Sequence, residues 1–181
     1  MLPLRKTLFA VWGVQTTGQD PATDRVVEIG LTLCTVDKCL LRTSLFVDPG
    51  MPIPVGATAD HGITDADVAG APSLLEALET LGNVMPFPPT IYVAHSPSFE
   101  QAFLGLSERP WVSTLEMAWQ LYPNRAYRLM TICQDLGIRL EDDARRVEAY
   151  SFATAQLLQE MLRALPELET TDDLVALGGV L

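Results

Sequence analysis

Short apolar runs bounded by turn residues recur along the chain and predict the strands of a β-sheet. Leu8–Val14 is a continuous apolar run of the kind typical of a buried strand. Two further runs, Val26–Thr35 and Cys39–Val47, flank a short polar turn and predict the arms of a hairpin. Thr90–Ala94 predicts a fourth, buried strand, and Trp111-Val112 predicts a short fifth one.

Helical spacing of apolar residues follows the hairpin and continues to the end of the chain. Ser73 precedes such a pattern and is a predicted N-cap, and Gly137 follows another as a C-terminal glycine. The longest predicted helix is Val147–Leu165, which has one broad apolar face. The other predicted helices are a short one after Thr64, Phe99–Leu106, Thr114–Leu121, Arg128–Leu136 and Asp172–Leu177. The pattern predicts a mixed α/β architecture, a five-stranded sheet flanked by helices.

Length and composition favour one folded domain over residues 1–181. The chain has 181 residues and is 48% hydrophobic, enough for a single core. We expect the core over about residues 7–165, with 166–181 as a C-terminal tail or short helix. No apolar run approaches the roughly 20 residues that cross a bilayer, and the N-terminus lacks the features of a signal peptide. The expected location is cytoplasmic, with no membrane partner.

Charge and cysteine content limit the possible partners. The net charge is −11, and no basic stripe of the kind that neutralises phosphates is present, so we expect weak or no nucleic-acid binding. Overall charge is a weak guide to local potential, so a small local groove stays open. Cys34 and Cys39 flank the hairpin turn and are expected to be free thiols, and with Cys133 they do not form a zinc motif.

The first predicted strand leads into the turn Thr16-Thr17-Gly18. This layout resembles the first motif of the DnaQ-like (DEDDh) 3′–5′ exonucleases, which include the proofreading subunit of bacterial polymerase III. In that family the strand reads Asp-x-Glu-Thr-Thr-Gly, and both carboxylates bind catalytic metals. Here Gly13 stands at the Asp position and Gln15 at the Glu position. The turn is retained, whereas both carboxylates are replaced.

A second resemblance covers a strand end and the helix after it. The family form is Val-x-His-Asn-x-x-Phe-Asp, and this chain has His95, Ser96, Phe99 and Glu100 at the corresponding positions. Glu100 is the one remaining candidate metal ligand, with a side chain one methylene longer than Asp. Its alternative role is that of a helix N-terminal acid favoured by the helix dipole. The segment HGIT, which begins at His61, resembles a family loop beside the substrate groove, and its alternative is a loop histidine bonded to backbone groups.

The third family motif places a His and an Asp before the last long helix. An alignment anchored on Ala153-Thr154-Ala155 puts Tyr150 at the Asp position and Arg145 at the His position. Arginine is always protonated and cannot act as a general base. None of the family's catalytic positions is therefore intact. The substrate groove that the resemblance implies comprises Thr16, Thr17, Gly18, His61, His95 and Phe99.

The resemblance implies a ribonuclease H-like fold with strand order 3-2-1-4-5 and a catalytically inactive domain. No cofactor is expected, although the family uses two Mg²⁺ or Mn²⁺ ions, and Arg145 is a hypothetical partner for Glu100. The implied partner is a DNA polymerase or helicase subunit or module. One alternative is a metal-free reader of single-stranded nucleic acid. Another is an active exonuclease with relocated acids, for which the candidates are Asp20, Asp24, Glu28, Asp142 and Asp143.

Overall fold

One sheet forms the centre of the computed structural model, which describes residues 2–140 and 146–180. Its strands are β1 (Phe9–Thr16), β2 (Val26–Cys34), β3 (Cys39–Phe46), β4 (Ile91–Ala94), β5 (Trp111–Ser113) and β6 (Gly179–Val180). They lie in the order β3-β2-β1-β4-β5-β6. β1 is antiparallel to β2 and parallel to β4, so the central strand joins an antiparallel half to a parallel half.

Helices cover both faces of this sheet. They are α1 (Val55–His61), α2 (Asp65–Val68), α3 (Leu74–Asn83), α4 (Pro97–Leu104), α5 (Thr114–Leu121), α6 (Leu129–Asp135), α7 (Val147–Ala164) and α8 (Thr171–Gly178). Local chemistry sets several of their ends. Ser73 and Glu76 form a capping box at the start of α3, and Gly137 has the positive φ of +71° that ends the α6 segment.

Alternation along β1 assigns its side chains to two hydrophobic cores. Phe9 and Val11 pack with the α5–α8 side, whereas Ala10 and Trp12 pack with α3 and α4. Gly13 therefore faces the same side as Phe9 and Val11. Helix α7 begins against this part of the sheet.

Two glycines that are register partners allow α7 to approach the sheet closely. Gly13 on β1 pairs with Gly30 on β2. A Cβ atom on Gly30 would lie 2.9 Å from the Val147 carbonyl oxygen, and one on Gly13 would lie 2.9 Å from Val147 Cγ2. Because such distances are closer than real Cβ contacts, a side chain at either position would force Val147 to move, and at Gly30 the obstruction is the backbone itself.

The prediction of five strands is wrong by one. β6 adds an edge strand antiparallel to β5, and the order of the first five is the one that the resemblance implied. A strand of two residues that begins with Gly179 has no periodicity to reveal it. Helix α1 was also not predicted, because its sequence has no amphipathic pattern.

Several element boundaries shift by a few residues. The helix predicted over Phe99–Leu106 is α4, which ends earlier because Gly105 adopts a left-handed conformation with φ +66°. Cys34 and Cys39 are register partners across the hairpin, and both thiols are free. Within residues 2–140 and 146–180, no helix is both long enough and apolar enough to cross a membrane.

Candidate active-site cleft

Three of the positions that correspond to the family's acids come together at the start of α7. A Cβ atom on Gly13 would lie 3.5 Å from Tyr150 Cδ1, so the tyrosine ring covers the glycine. Glu100 lies on α4, close enough for its charge to raise the pKa of the Tyr150 hydroxyl. Gln15 lies two residues further along β1, on the same face. Arg145 lies outside the described residues, as does its hypothetical pairing with Glu100.

Glu100 is a buried acid without a counter-charge in the described part of the chain. It is 5% exposed, and its Oε2 has no hydrogen-bond partner there. Burial raises the pKa of Glu100 to about 8, and a hydrogen bond from its own backbone N–H opposes this only in part. The side chain is therefore mostly a neutral carboxylic acid near pH 7. A neutral acid is a poor ligand for a divalent cation, because metal binding must first displace the proton.

Tyr150 contributes bulk where the family has a carboxylate. Burial raises the pKa of its phenol, and the charges of Glu100 and Cys133 raise it further, so the hydroxyl stays protonated. Together with Val147, the Tyr150 ring occupies the space into which a side chain at position 13 would project. The cleft is thus filled by an aromatic ring and a branched aliphatic side chain.

A buried ion pair lies next to Gln15. Glu28 is its register partner on β2 and is fully buried. The Arg146 guanidinium donates to Glu28 Oε1 through Nη2 at 2.6 Å and through Nε at 3.1 Å. The Val147 N–H also donates to the Glu28 carboxylate, and Arg146 stacks 4.8 Å from the Phe46 ring centroid. Glu28 therefore holds the start of α7 against the sheet, and its carboxylate is not available as a metal ligand.

Internal hydrogen bonds hold the turn after β1. Thr16 Oγ1 donates to the Gly18 carbonyl, and Thr17 Oγ1 donates to Asp24 Oδ1 at 3.2 Å. The Asp24 carboxylate also accepts from the Asp20 N–H. Both threonine hydroxyls and the Asp24 carboxylate are therefore committed to the turn itself. The turn has the form expected from the motif, stabilised without any ligand.

The two histidines are buried and have different surroundings. His95 bridges three elements: its Nε2 donates to the Tyr127 carbonyl at 2.7 Å, so Nδ1 accepts from Thr114 Oγ1 at 2.9 Å in the neutral ring. His61 Nδ1 accepts from the Ile63 N–H at 3.0 Å, as in the backbone-bonded alternative. Burial is the main cause that lowers the pKa of both rings, so both are neutral near pH 7. The Thr16 backbone and the charge of Glu28 oppose this effect at His61, which places that ring near the end of β1.

Phe99, the remaining member of the expected groove, lies on α4. Its ring packs against Phe103, with ring centroids 4.9 Å apart, and joins the core on the α3 and α4 side of the sheet. Its ring is half-buried. The expected groove residues are thus all partly or largely buried, and the structure gives each of them a packing or hydrogen-bonding role within the protein.

The donor set does not fit a two-metal centre. Among residues 2–140 and 146–180, no group of three or more His, Cys, Asp or Glu side chains is arranged to hold a metal ion. Mg²⁺ prefers several oxygen ligands in octahedral geometry. Glu100 offers one mainly neutral carboxyl, and Glu28 on β2 is paired with Arg146.

Two features of this region were not expected from the sequence. The first is the Glu28–Arg146 pair, which joins residues 118 positions apart and leaves no local signal. The second is a groove between α5 and α6, which we call the aromatic groove, with a volume of about 850 Å³. Its lining includes His95, Trp119, Tyr127, Arg128, Met130 and Tyr150. A partial signal exists for the groove, because Trp119, Tyr127 and Arg128 lie within ten residues of one another in the sequence.

Known proteins resemble this chain in sequence and in fold. It is 29% identical over 172 residues to the PolC-type DNA polymerase III of Clostridium perfringens, covering 88% of this chain and 11% of that protein. It is 32% identical over 170 residues to the PolC-type enzyme of Caldanaerobacter subterraneus subsp. tengcongensis, covering 88% of this chain and 12% of that protein. The chain therefore spans about an eighth or less of these relatives.

A solved structure of Exonuclease X in complex with 5′ overhanging duplex DNA has the same fold. The TM-score is 0.79 at 23% sequence identity, with 93% of this chain and 98% of that chain covered. No family model matches the chain. The polymerase relatives and the exonuclease fold agree with the motifs described above. The chain belongs to the DnaQ-like 3′–5′ exonuclease family.

Proposed function

We propose that this chain is a catalytically inactive exonuclease-like domain that serves as a structural or protein-interaction module in DNA metabolism. The observation that carries the proposal is the packing at Gly13. Val147 Cγ2 and the Tyr150 ring lie within 2.9 Å and 3.5 Å of a Cβ atom at this position. Two positions at which the family has metal-binding acids are thus a glycine and the tyrosine that covers it.

Charge balance supports the same proposal. Two divalent cations bring four positive charges into a small cleft, and active members of the family offset them with carboxylates. Here Glu100 is the one acid at these positions, and its pKa of about 8 keeps it mainly neutral at pH 7. We expect no tight divalent-metal site, and no cofactor is needed for the function proposed.

Relocated acids give little support to an active nuclease. Glu28 is bound by Arg146, and Asp24 is bound within the turn after β1. Asp20 accepts a hydrogen bond from the Ala22 N–H on the exposed surface. The other two candidates, Asp142 and Asp143, lie outside the described residues. The inactive domain is therefore the function that the described geometry supports best.

The relatives suggest where such a module works. The polymerases matched here are PolC-type DNA polymerase III proteins, and the matching region is about an eighth of each. We propose a polymerase or helicase subunit or module as the partner. The apolar end of the chain is a weaker candidate for the docking surface, because Leu174 on α8 is fully buried against the rest of the protein.

Calorimetry and a nuclease assay together test the proposal. Titration with MnCl₂ should show no site of micromolar affinity, and a 3′-labelled oligonucleotide should stay intact in Mn²⁺ and in Mg²⁺. The control is the same preparation of Glu100→Ala, which should give identical traces. Trimming by the parent chain that Glu100→Ala or Asp24→Ala abolishes would contradict the proposal.

A further inference from the structure

A second groove lies on the opposite face of the sheet from Gly13 and α7. It is enclosed by the second half of α3, by the loop between α3 and β4, and by β4 itself, and its volume is about 450 Å³. Ligand sites have volumes of roughly 300–1,000 Å³. We call this surface the α3 groove, and its lining includes Trp12, Leu78, Gly82, Met85, Phe87 and Tyr92.

The floor of the α3 groove contains a hydrogen-bond donor that the protein does not use. Trp12 is 2% exposed, and its Nε1–H has no acceptor in the described part of the chain. By contrast, Trp111 Nε1 donates to the Leu106 carbonyl at 2.9 Å. The Tyr92 hydroxyl, which also lines the groove, donates to Glu108 Oε2 at 3.4 Å. Because an unpaired buried donor is unfavourable, a ligand that brings an acceptor to Trp12 removes that cost.

The loop of residues 85–89 forms a wall of the groove that can shift. Three of its five residues are prolines, which have no N–H to donate. The hydrogen bonds at its two ends run from the Met85 N–H to the Gly82 carbonyl at 3.3 Å and from the Thr90 N–H to the Leu8 carbonyl at 2.9 Å. Side-chain packing therefore holds most of the wall. A small displacement of such a loop brings an acceptor within reach of the covered Trp12 N–H.

Apolar and acidic side chains extend the groove along α3. Leu75 lies three residues before Leu78, on the same side of the helix, and is 67% exposed. Glu79 adjoins Leu78 and is exposed. Residues 43–124 contain nine Asp or Glu and a single basic side chain of Lys or Arg type, Arg109. Such a surface complements an apolar segment with cationic flanks, and it repels a second copy of this chain, whose net charge is −11.

We infer that the α3 groove docks a segment of a partner protein in which an X-Pro sequence among apolar residues is flanked by Lys or Arg. The carbonyl before the proline accepts from Trp12 Nε1, and the apolar side chains cover Leu75 and Phe87. The amide before a proline has an acceptor and no N–H, so its burial leaves no donor unpaired. Aromatic-lined grooves suit such segments, whose extended conformation is largely preformed. The inference rests on the interaction role in the proposed function and is independent of the loss of catalysis.

Fluorescence anisotropy at low salt tests the docking directly. The probe is the fluorescein-labelled peptide KKALPPLAKK, which we call the lysine peptide. Its matched controls are KKALAALAKK, which lacks the prolines, and EEALPPLAEE, which reverses the flanking charges. We expect saturable binding of the lysine peptide below about 1 mM and binding weaker by about tenfold for each control. NaCl should weaken the binding of the lysine peptide, because it screens the attraction to the acidic rim.

The indole N–H resonances report the predicted hydrogen bond. The chain has three tryptophans, so ¹⁵N-labelled protein gives three such resonances, and Trp12→Phe and Trp119→Phe assign two of them. The lysine peptide should shift the Trp12 resonance, because that N–H gains an acceptor. The Trp119 resonance should stay unchanged, because this ring lines the aromatic groove instead.

Two surface substitutions locate the site without altering the core. Phe87→Ser removes an apolar ring that is 55% exposed, and Glu79→Lys reverses a charge beside the groove. Each should weaken the binding of the lysine peptide about fivefold. Leu40→Ser on β3 and Glu167→Lys after α7 are the matched controls on other surfaces, and both should bind like the parent chain.

Each contrary outcome overturns the inference. One is the absence of binding by the folded parent chain, and another is equal binding of all three peptides. A third is binding that Phe87→Ser and Glu79→Lys leave unchanged while the Trp12 resonance does not shift. Self-association that Phe87→Ser abolishes in analytical ultracentrifugation would assign the groove to a second copy of the chain. None of these results alters the outcome of the Mn²⁺ titration, which tests the filled cleft.

Discussion

At the scale of single residues, Gly13 is the position that the start of α7 covers. A glycine here leaves room for the Val147 side chain and the Tyr150 ring, which lie over the bare backbone. Residues 13 and 150 are therefore within packing distance of each other. We expect that an acid introduced at position 13 alone will not create a metal site.

Gly13→Asp should lower the free energy of unfolding by about 1–3 kcal/mol, the usual cost of overpacking a core. The physical reason is the contact of 2.9 Å between a Cβ atom at this position and Val147 Cγ2. Urea denaturation followed by circular dichroism measures the change. Gly82→Ala is the matched control: its Cβ meets open space on α3, so it should raise the stability by about 0.5–1 kcal/mol. If Gly13→Asp were as stable as the parent chain, the cleft would have room for a side chain at position 13, and the prediction would be wrong.

Glu100 should make the stability of the protein fall as pH rises. The pKa of Glu100 is about 8 in the folded protein, whereas the ordinary value of 4.5 applies to the unfolded chain. The folded protein therefore binds the proton more tightly. The stabilisation is complete below pH 4.5 and is lost progressively up to about pH 8, by about 1.4 kcal/mol for each pH unit. Glu100→Gln should abolish this decline, as measured by urea denaturation across the same range.

A second glutamate provides the control for this pH experiment. Hydrogen bonds from Ser73 lower the pKa of Glu76, so its contribution is lost only as the pH falls through its lowered pKa, below the ordinary Glu value. Glu76→Gln should therefore leave the slope between pH 4.5 and 8 unchanged. If the free energy of unfolding of the parent chain did not change over that pH range, Glu100 would be charged in the folded protein and stabilised by a partner. That result would contradict the prediction.

Among the elements, helix α7 is the one whose position defines the cleft. Its first turn contacts β1 and β2 at Gly13 and Gly30, and the Glu28–Arg146 pair holds it there. Glu28 is 0% exposed, whereas the Arg146 side chain is 40% exposed. Removing Arg146 would therefore leave a fully buried carboxylate, whereas removing Glu28 would leave a guanidinium that is partly in contact with water.

Arg146→Ala should destabilise the protein by about 3–5 kcal/mol, because it leaves the Glu28 carboxylate buried without its partner. Glu28→Gln should cost less, because water can solvate the half-exposed guanidinium. Arg163→Ala breaks an exposed pair with Glu160 and should cost about 0–1 kcal/mol. Equal effects of Arg146→Ala and Arg163→Ala in thermal unfolding would contradict this role.

Local signals accounted for most elements but not for all. The start of α3 follows from the capping residues Ser73 and Glu76, and α5 has the predicted bounds of Thr114–Leu121. Both were readable because capping and apolar spacing act within one or two helical turns. β6 escaped prediction because its pairing partner, β5, lies far away in the sequence. Helix α4 ends at Gly105, a signal that apolar spacing alone overlooked.

For the whole molecule, overall charge and local charge lead to different expectations. A net charge of −11 argues against general affinity for nucleic acids. Arg128 lies beside the exposed Trp119 ring in the aromatic groove and is a local exception to this overall charge. The charge of the whole chain and the charge at one groove are separate properties.

Adding NaCl should raise the melting temperature, because screening reduces the self-repulsion of a chain with net charge −11. If screening is worth about 1 kcal/mol, the rise is about 2–4 °C for a protein of this size. Scanning calorimetry measures it, and KCl at equal ionic strength is the control. A fall in melting temperature, or a difference between the two salts, would contradict a screening origin.

The sequence by itself determined the properties that depend on residue identity and short-range order. Periodicity and caps predicted the first five strands and most helices, and the motifs identified the family. The resemblance also predicts that Gly13, Gln15 and Tyr150 stand where the family has acids. Such features are readable because hydrogen bonding and side-chain alternation repeat within a few residues.

Only the tertiary structure decided what surrounds Gly13 and Glu100. The packing of Val147 and Tyr150 over Gly13, the Glu28–Arg146 pair and the neutral state of Glu100 all depend on contacts between distant segments. The same holds for the aromatic groove, whose walls come from several elements. Burial and electrostatics are properties of the surroundings, and the surroundings exist only once the chain has folded.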